Sequence, residues 1–92
     1  MYRYRRVAIK VWHDEKFLSL SLTEKMVWLY LLTGPQTNAV GLYRFAVQSM
    51  SSDLGLTLIQ GQQALNPIIE KTMAFYDERT ALLWIPRWLD YN

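Results

Sequence analysis

The first residues of the chain alternate basic and aromatic side chains in the run Tyr2-Arg3-Tyr4-Arg5-Arg6. An arginine guanidinium can neutralise a phosphate or enter a narrow minor groove, and a tyrosine ring can stack on an exposed base. The pattern indicates a flexible basic arm over residues 1–6, with Arg3, Arg5 and Arg6 as candidate nucleic-acid contacts. The alternative is a solvated terminal segment whose charges contact nothing specific.

A second candidate group lies at the start of a predicted helix, where Thr57-Leu58-Ile59-Gln60 matches a capping box. Gln60 and Gln63 are expected to face outward, and a glutamine amide can bond adenine through N6 and N7. Gly61 between them would let the backbone approach a phosphate, as would the free amides around Thr57. An ordinary polar surface is the alternative interpretation.

Two further basic residues, Lys71 and Arg79, are candidate phosphate contacts. Arg79 lies in a predicted hairpin turn, where its acidic neighbours Asp77 and Glu78 would repel phosphate. The net charge is only +2, but residues 1–20 hold five basic side chains against two acidic ones. The positive field is therefore concentrated at the N-terminus, where an acidic polymer would be attracted.

No residue pattern in the chain is typical of catalysis or metal binding. Cysteine is absent, and the single His13 cannot form a standard zinc cluster by itself. The sequence has no glycine-rich phosphate loop, no Ser–His–Asp set in a usable context and no paired carboxylates in a plausible cleft. We therefore predict that the protein is not an enzyme and has no catalytic residues, no bound metal and no cofactor.

The composition also bears on location. The longest uninterrupted apolar run, Met26–Leu32, is too short to cross a bilayer. The basic N-terminus is not followed by the unbroken apolar stretch of a signal peptide. Because there is also no cysteine for disulfides, we predict a cytoplasmic protein without a membrane partner.

The elements that must position these residues begin with a predicted strand, since Val7, Ile9 and Val11 alternate with other side chains. Asp14 is expected to cap a short helical turn through Phe17. A capping box from Ser21 to Glu24 then opens a helix over residues 22–33, which Gly34-Pro35 ends. This helix is apolar nearly all round, with one stripe formed by Leu22, Met26 and Leu29. It should be buried on several sides, within the domain or by a partner chain.

The second half predicts a strand at residues 41–45, a helix over 45–54 that ends at Gly55, and a second helix opened by Thr57. The second helix is expected to bury Leu58, Gln62, Leu65 and Ile69, and to turn Thr57, Gln60, Gln63 and Ala64 to solvent. Pro67 should kink it or restart it with Asn66 as the N-cap. A hairpin follows at about residues 73–86.

A helix-turn-helix followed directly by a hairpin is the plan of a winged helix. We therefore predict one α+β domain over residues 1–92, mainly α, with a winged helix-turn-helix and a small antiparallel sheet. Its aromatic content is high, which favours an interface with another protein. The candidates for that interface are the four tryptophans, Trp12, Trp28, Trp84 and Trp88.

Several short motifs add a family resemblance. They are Trp12–Phe17, Leu20-Ser21 with Lys25, Leu31–Thr33, Gly41–Arg44, Ala74–Glu78, Trp84-Ile85 and Trp88–Asn92. In order and spacing they resemble the N-terminal winged-helix domain of phage replication proteins, the replisome organisers and DnaD-like replication initiation proteins. The resemblance spans almost the whole chain.

This resemblance implies binding to double-stranded origin DNA, self-association as a homodimer or higher oligomer, and contact with other replication proteins. In that family a further C-terminal region typically engages DNA or the helicase-loading machinery, so this chain is expected to be either part of a longer protein or a short free-standing relative. Two alternatives use the same fold. A protein–protein assembly module is favoured by the low net charge, the aromatic content and a second helix that has no Lys or Arg before Lys71. A transcriptional regulator would dock on DNA by the same physics.

Overall fold

The computed structural model describes residues 6–91. The predictions for Arg3, Arg5 and the rest of the arm before Arg6, and for Asn92, lie outside these residues. The described elements are a 3-10 helix (Ile9–His13), α1 (Glu15–Leu18), α2 (Leu22–Thr33), β1 (Leu42–Arg44), α3 (Val47–Leu54), α4 (Leu58–Glu70), β2 (Phe75–Asp77), β3 (Leu82–Trp84) and α5 (Trp88–Tyr91). The fold is a small, mainly helical α+β domain with a three-stranded antiparallel sheet.

The predicted strand at residues 7–11 is wrong, because Ile9–His13 is the 3-10 helix and residues 7–8 belong to no strand. Its backbone is held by one bond to the other end of the chain, since the Ala8 amide donates to the Tyr91 carbonyl at 2.7 Å. Val11 is fully buried, whereas Ile9 is 79% exposed. The alternation of side chains therefore did not indicate a strand here, because Val11 packs into the core and the segment pairs with no strand of the sheet.

Local capping chemistry defines the first two α-helices. The Asp14 carboxylate accepts from the Lys16 amide at 2.9 Å and caps α1. At the start of α2, the Ser21 hydroxyl accepts from the Glu24 amide at 3.2 Å, and the Glu24 carboxylate accepts from the Ser21 amide at 3.0 Å. Both predicted caps are confirmed, and α2 spans the predicted residues because reciprocal bonds satisfy its free amides.

The helix α2 was expected to be buried on several sides, but two residues of its apolar stripe are exposed. Leu22 is 83% exposed and Met26 is 52% exposed. The buried side chains are Val27, Trp28, Leu31 and Leu32. Because apolar residues surround this helix, its periodicity could not select the face that meets α3 and α4.

The turn between α3 and α4 forms as predicted. Gly55 has φ +73°, a left-handed conformation that favours glycine at a helix end. The capping box at Thr57 is also confirmed. The predicted restart at Asn66 is wrong, because α4 runs through Pro67 to Glu70 as one helix.

The buried face of α4 is also corrected. It consists of Gly61, Ala64, Leu65 and Ile68. Ala64 therefore lies in the core rather than in solvent, and Leu58, predicted to be buried, is 56% exposed. The observed buried face differs from the predicted one because small residues, Gly61 and Ala64, allow α4 to lie close to its neighbours.

The sheet has the strand order β1-β3-β2, and the predicted hairpin is confirmed as β2 and β3. Tyr43, Leu83 and Tyr76 are cross-strand neighbours that face inward, and Leu83 is fully buried. The Tyr43 hydroxyl donates to the Leu31 carbonyl of α2 at 2.6 Å. This bond ties the sheet to the helical layer, and burial raises the pKa of Tyr43.

Candidate nucleic-acid and protein interfaces

The first turn of α4 holds two of the predicted DNA contacts, Thr57 and Gln60. The Thr57 hydroxyl accepts from the Gln60 amide at 3.1 Å, and the Gln60 side-chain oxygen accepts from the Thr57 amide at 2.9 Å. Recognition of adenine by glutamine requires both the oxygen and the nitrogen of the side-chain amide. The cap occupies one lone pair of the Gln60 side-chain oxygen and holds the side chain against its own helix, so Gln60 can contact adenine only from this fixed position.

Gln63 is exposed one turn further along α4 and is free of that constraint. Together with Gln60 it borders a groove of about 250 Å³ between the starts of α2 and α4. Glu24 also lines this groove, and its carboxylate is already bonded to the α2 cap. A carboxylate here opposes the attraction of a phosphate to the helix amides, so Gln63 is better placed for a neutral ligand group than for the DNA backbone.

Gly61 does not lie on the outer surface of α4, which corrects the prediction that it lets a phosphate approach. It is buried against Ser51 of α3. A Cβ atom built on Gly61 would lie 1.8 Å from the Ser51 Oγ. The glycine therefore serves close packing between α3 and α4.

The outward surface of α4 carries no positive charge. Leu58 and Ile59 are 56% and 69% exposed. Lys71 follows the helix as its C-cap and is partly buried, and its amide donates to the Pro67 carbonyl at 3.0 Å. This helix therefore presents amide groups, apolar groups and the carboxylate of Glu70, whereas phosphate contacts depend on other segments.

The remaining basic candidates are dispersed. Arg79 is exposed in the hairpin turn, and its amide donates to the Asp77 carboxylate at 3.0 Å. Arg6 is exposed at the beginning of the described chain, far along the sequence from both Arg79 and Lys71. Within residues 6–91 no hydrogen bond or ion pair joins these three residues to one another, so the structure does not assemble them into one cluster.

Two further cations are engaged near the C-terminus. The Arg87 Nε donates to the Asp90 carboxylate at 2.8 Å, and the Lys10 Nζ lies 3.9 Å from the same carboxylate. The hydrogen bond from Arg87, followed by the charge of Lys10, holds the pKa of Asp90 below its usual value. These contacts partly neutralise both cations and fasten the 3-10 helix to α5.

The predicted tryptophan interface is corrected at two of its four positions. Trp28 is fully buried and Trp88 is 2% exposed, so both belong to the core and are unavailable to a partner. Trp12 and Trp84 are 56% and 49% exposed. Trp12 packs edge-on against Phe17, with ring centroids 5.4 Å apart.

Trp84 belongs to a surface that the sequence analysis did not identify. Strand register places it between Leu42 and Phe75 on the outer face of the sheet. We call Leu42, Trp84 and Phe75 the apolar row. The Trp84 and Phe75 rings stack with centroids 5.6 Å apart and an interplanar angle of 30°. The signal was present in the sequence, because strands with apolar side chains at successive positions have two apolar faces.

Comparison with protein-family models, with curated proteins and with solved structures gives no match. Over residues 6–91, no helix has the length and apolar character needed to cross a membrane. In the same part of the chain, no three His, Cys, Asp or Glu side chains are grouped so that they could hold a metal ion.

Proposed function

We propose that this chain is a winged-helix domain that binds double-stranded DNA, of the type used by phage replication initiation proteins. The observation that supports this function is the arrangement of α3, the Gly55 turn and α4, followed directly by the β2–β3 hairpin. The strand β1, which precedes α3, completes the sheet by pairing with β3. In helix-turn-helix proteins the second helix enters the major groove, and α4 is the second helix of the α3–α4 pair.

We expect most of the affinity for DNA to come from the charges of the N-terminal arm. Residues 6–91 carry eight basic and eight acidic side chains, so the net charge of +2 comes from Arg3 and Arg5. Neutralising phosphates releases counterions, and the affinity then falls as salt rises. We therefore expect weak, salt-sensitive binding, with the arm on phosphates and with Gln63 as the base-reading candidate on α4.

The test is fluorescence anisotropy of labelled duplex DNA titrated with the protein at several salt concentrations. If Arg3 and Arg5 each neutralise one phosphate, Arg3→Ala/Arg5→Ala should lower the slope of log K against log salt by about 1.8. The matched control, Lys10→Ala/Arg87→Ala, removes the same charge from residues that are already paired with Asp90. Equal losses in both variants would refute specific use of the arm.

A second candidate function is a protein-assembly module on the same fold. The apolar row favours it, since its three side chains are 42–49% exposed on a continuous sheet surface. The absence of Lys and Arg from α4 favours it as well. A folded protein that binds no DNA at low salt would make assembly the primary function.

A further inference from the structure

The outer face of the sheet carries two parallel rows of side chains, one apolar and one charged at its ends. Leu42, Trp84 and Phe75 form the apolar row, and the neighbouring row consists of Arg44, Leu82 and Asp77. Because adjacent strands lie about 4.8 Å apart, Arg44 and Asp77 are separated by about 10 Å on opposite edges of the sheet. The central Leu82 is 38% exposed between these two opposite charges.

Among the residues that the structure describes, neither of the two charged side chains forms an ion pair. In residues 6–91 the ion pairs join Asp90 to Lys10 and to Arg87. The Asp77 carboxylate accepts from the Arg79 amide and the Thr80 hydroxyl, each at 3.0 Å, and both oxygens retain a free lone pair. Arg44 lies exposed on the edge strand β1.

We propose that a second copy of this chain covers the apolar row, forming a symmetric dimer whose twofold axis lies between the two sheets and parallel to β3. This rotation places each row opposite the same row of the partner, and it places β1 opposite the partner's β2. Arg44 then faces the partner's Asp77, and the same pair forms again on the other side. Leu42 faces the partner's Phe75, while Trp84 and Leu82 lie on the axis.

Charge complementarity selects this arrangement. A twofold axis perpendicular to the strands would instead place Arg44 against the partner's Leu42, which would bury a guanidinium on an apolar side chain. Sheets that pack face to face lie about 10 Å apart, a gap that an arginine and an aspartate side chain can bridge together.

Nucleic acid fits this face less well. Single strands bind where aromatic platforms are combined with a positively charged groove. Here one arginine is opposed by Asp77 and by Glu78 at the next position. The sign of charge therefore changes across the face, which matches a second copy turned by half a rotation and not a polyanion.

The size of the surface sets the strength of the dimer. Three strands of three residues cover roughly 15 by 10 Å, well below the ~800 Å² that each partner buries in a standard interface. We therefore expect a weak and reversible dimer, with a Kd of about 0.1–1 mM. This inference rests on the assembly candidate and is independent of DNA binding.

The test is sedimentation analysis without DNA, from about 10 μM to about 1 mM protein, which brackets the expected Kd. Arg44→Asp and Asp77→Arg each place like charges opposite one another, and each should weaken self-association by roughly tenfold or more. An equimolar mixture of the two single variants should associate again, because every facing pair in the mixed dimer is attractive. Glu78→Arg, which reverses a neighbouring charge outside the two rows, is the matched control.

A second substitution tests the same interface independently in case Asp77→Arg disrupts the hairpin turn. Leu82→Glu places two carboxylates at the axis and should abolish the dimer, whereas Leu22→Glu, on an exposed residue of α2, should leave it intact. A wild-type protein that stays monomeric throughout the range would overturn the proposal. So would a mixture that associates no better than either single variant, or a control that weakens the dimer as strongly. DNA anisotropy on the same samples reports separately on the first candidate function.

Discussion

The close contact between α3 and α4 makes Gly61→Ala the most informative single substitution. A Cβ atom at this position would lie 1.8 Å from the Ser51 Oγ, 3.0 Å from the Ser51 Cβ and 3.5 Å from the Met50 Cε. Ser51 cannot readily turn away, because it is 2% exposed and its hydroxyl donates to the Val47 carbonyl at 2.8 Å. The helices must therefore separate, or the serine must lose its bond.

The magnitude follows from two opposing effects. Overpacking a close-packed site costs about 1–3 kcal/mol, whereas replacing glycine by alanine inside a helix contributes about 1 kcal/mol of stability. We expect a net loss of about 0–2 kcal/mol, which corresponds to a fall in Tm of up to roughly 15 °C for a domain of this size. Adding Ser51→Ala removes the nearest atom and should recover most of the loss.

Thermal and urea unfolding, followed by circular dichroism, measure this effect. The four proteins of the cycle are the wild type, each single variant and Gly61→Ala/Ser51→Ala, and Ser52→Ala serves as the control on an exposed serine of the same helix. A coupling of about 1–2 kcal/mol between the two sites is expected for residues in contact. A higher Tm for Gly61→Ala would refute the close helix contact. Weaker DNA binding by a fully stable double variant would instead restore the phosphate role of Gly61.

Three further results are expected. Ser21→Ala and Thr57→Ala should each lower the unfolding free energy by about 1 kcal/mol, because each removes the hydroxyl of a capping box; an unchanged urea midpoint would show that the cap does not stabilise its helix. Gly41→Ala should lower the free energy of unfolding by at least about 2 kcal/mol, because φ is +75° and the new Cβ would lie 2.5 Å from the Trp88 Cβ. A near-native Tm would contradict that contact. Burial, followed by the hydrogen bond to Asp14, raises the pKa of Tyr91 to about 12, from about 10 in the unfolded chain. The stability that the protonated Tyr91 hydroxyl contributes is therefore complete below pH ~10 and is lost as the pH rises through about 12. Urea midpoints measured across this range should fall less steeply in Tyr91→Phe.

The elements that the sequence predicted well are those set by short-range chemistry. Each capping box joins residues that are three apart, so its hydrogen bonds need no contact with distant parts of the chain. Gly55 ends α3 because its left-handed backbone is costly for other residues. The hairpin is likewise local, since β2 and β3 are joined by a four-residue turn closed by the Asp77 side chain.

The features that were mispredicted depend on distant contacts. The segment at Val7–Val11 is positioned by Tyr91, about eighty residues later, and its alternation could not show this. The buried faces of α2 and α4 were undetermined because both helices carry apolar residues on more than one side. The packing role of Gly61 became visible only when Ser51 lay opposite it. Glycine flanked by glutamines has the same local pattern in a ligand site and in a helix contact.

The candidate DNA-binding residues were chosen by residue type and remain a prediction, and the structure adds where the described ones lie. The described residues that follow the arm lie beside α5, because the Ala8 amide donates to the Tyr91 carbonyl and Lys10 lies near Asp90. The five residues before Arg6 span at most about 17 Å when extended, which is about half of the longest dimension of the domain, 35 Å. A duplex that contacts both the arm and α4 must then also pass near the α5 side of the domain. If only the arm contacts DNA, Arg3→Ala/Arg5→Ala should abolish binding while Gln63→Ala changes neither affinity nor base preference. A loss of base preference in Gln63→Ala, with an unchanged salt slope, would show that α4 also contacts the bases.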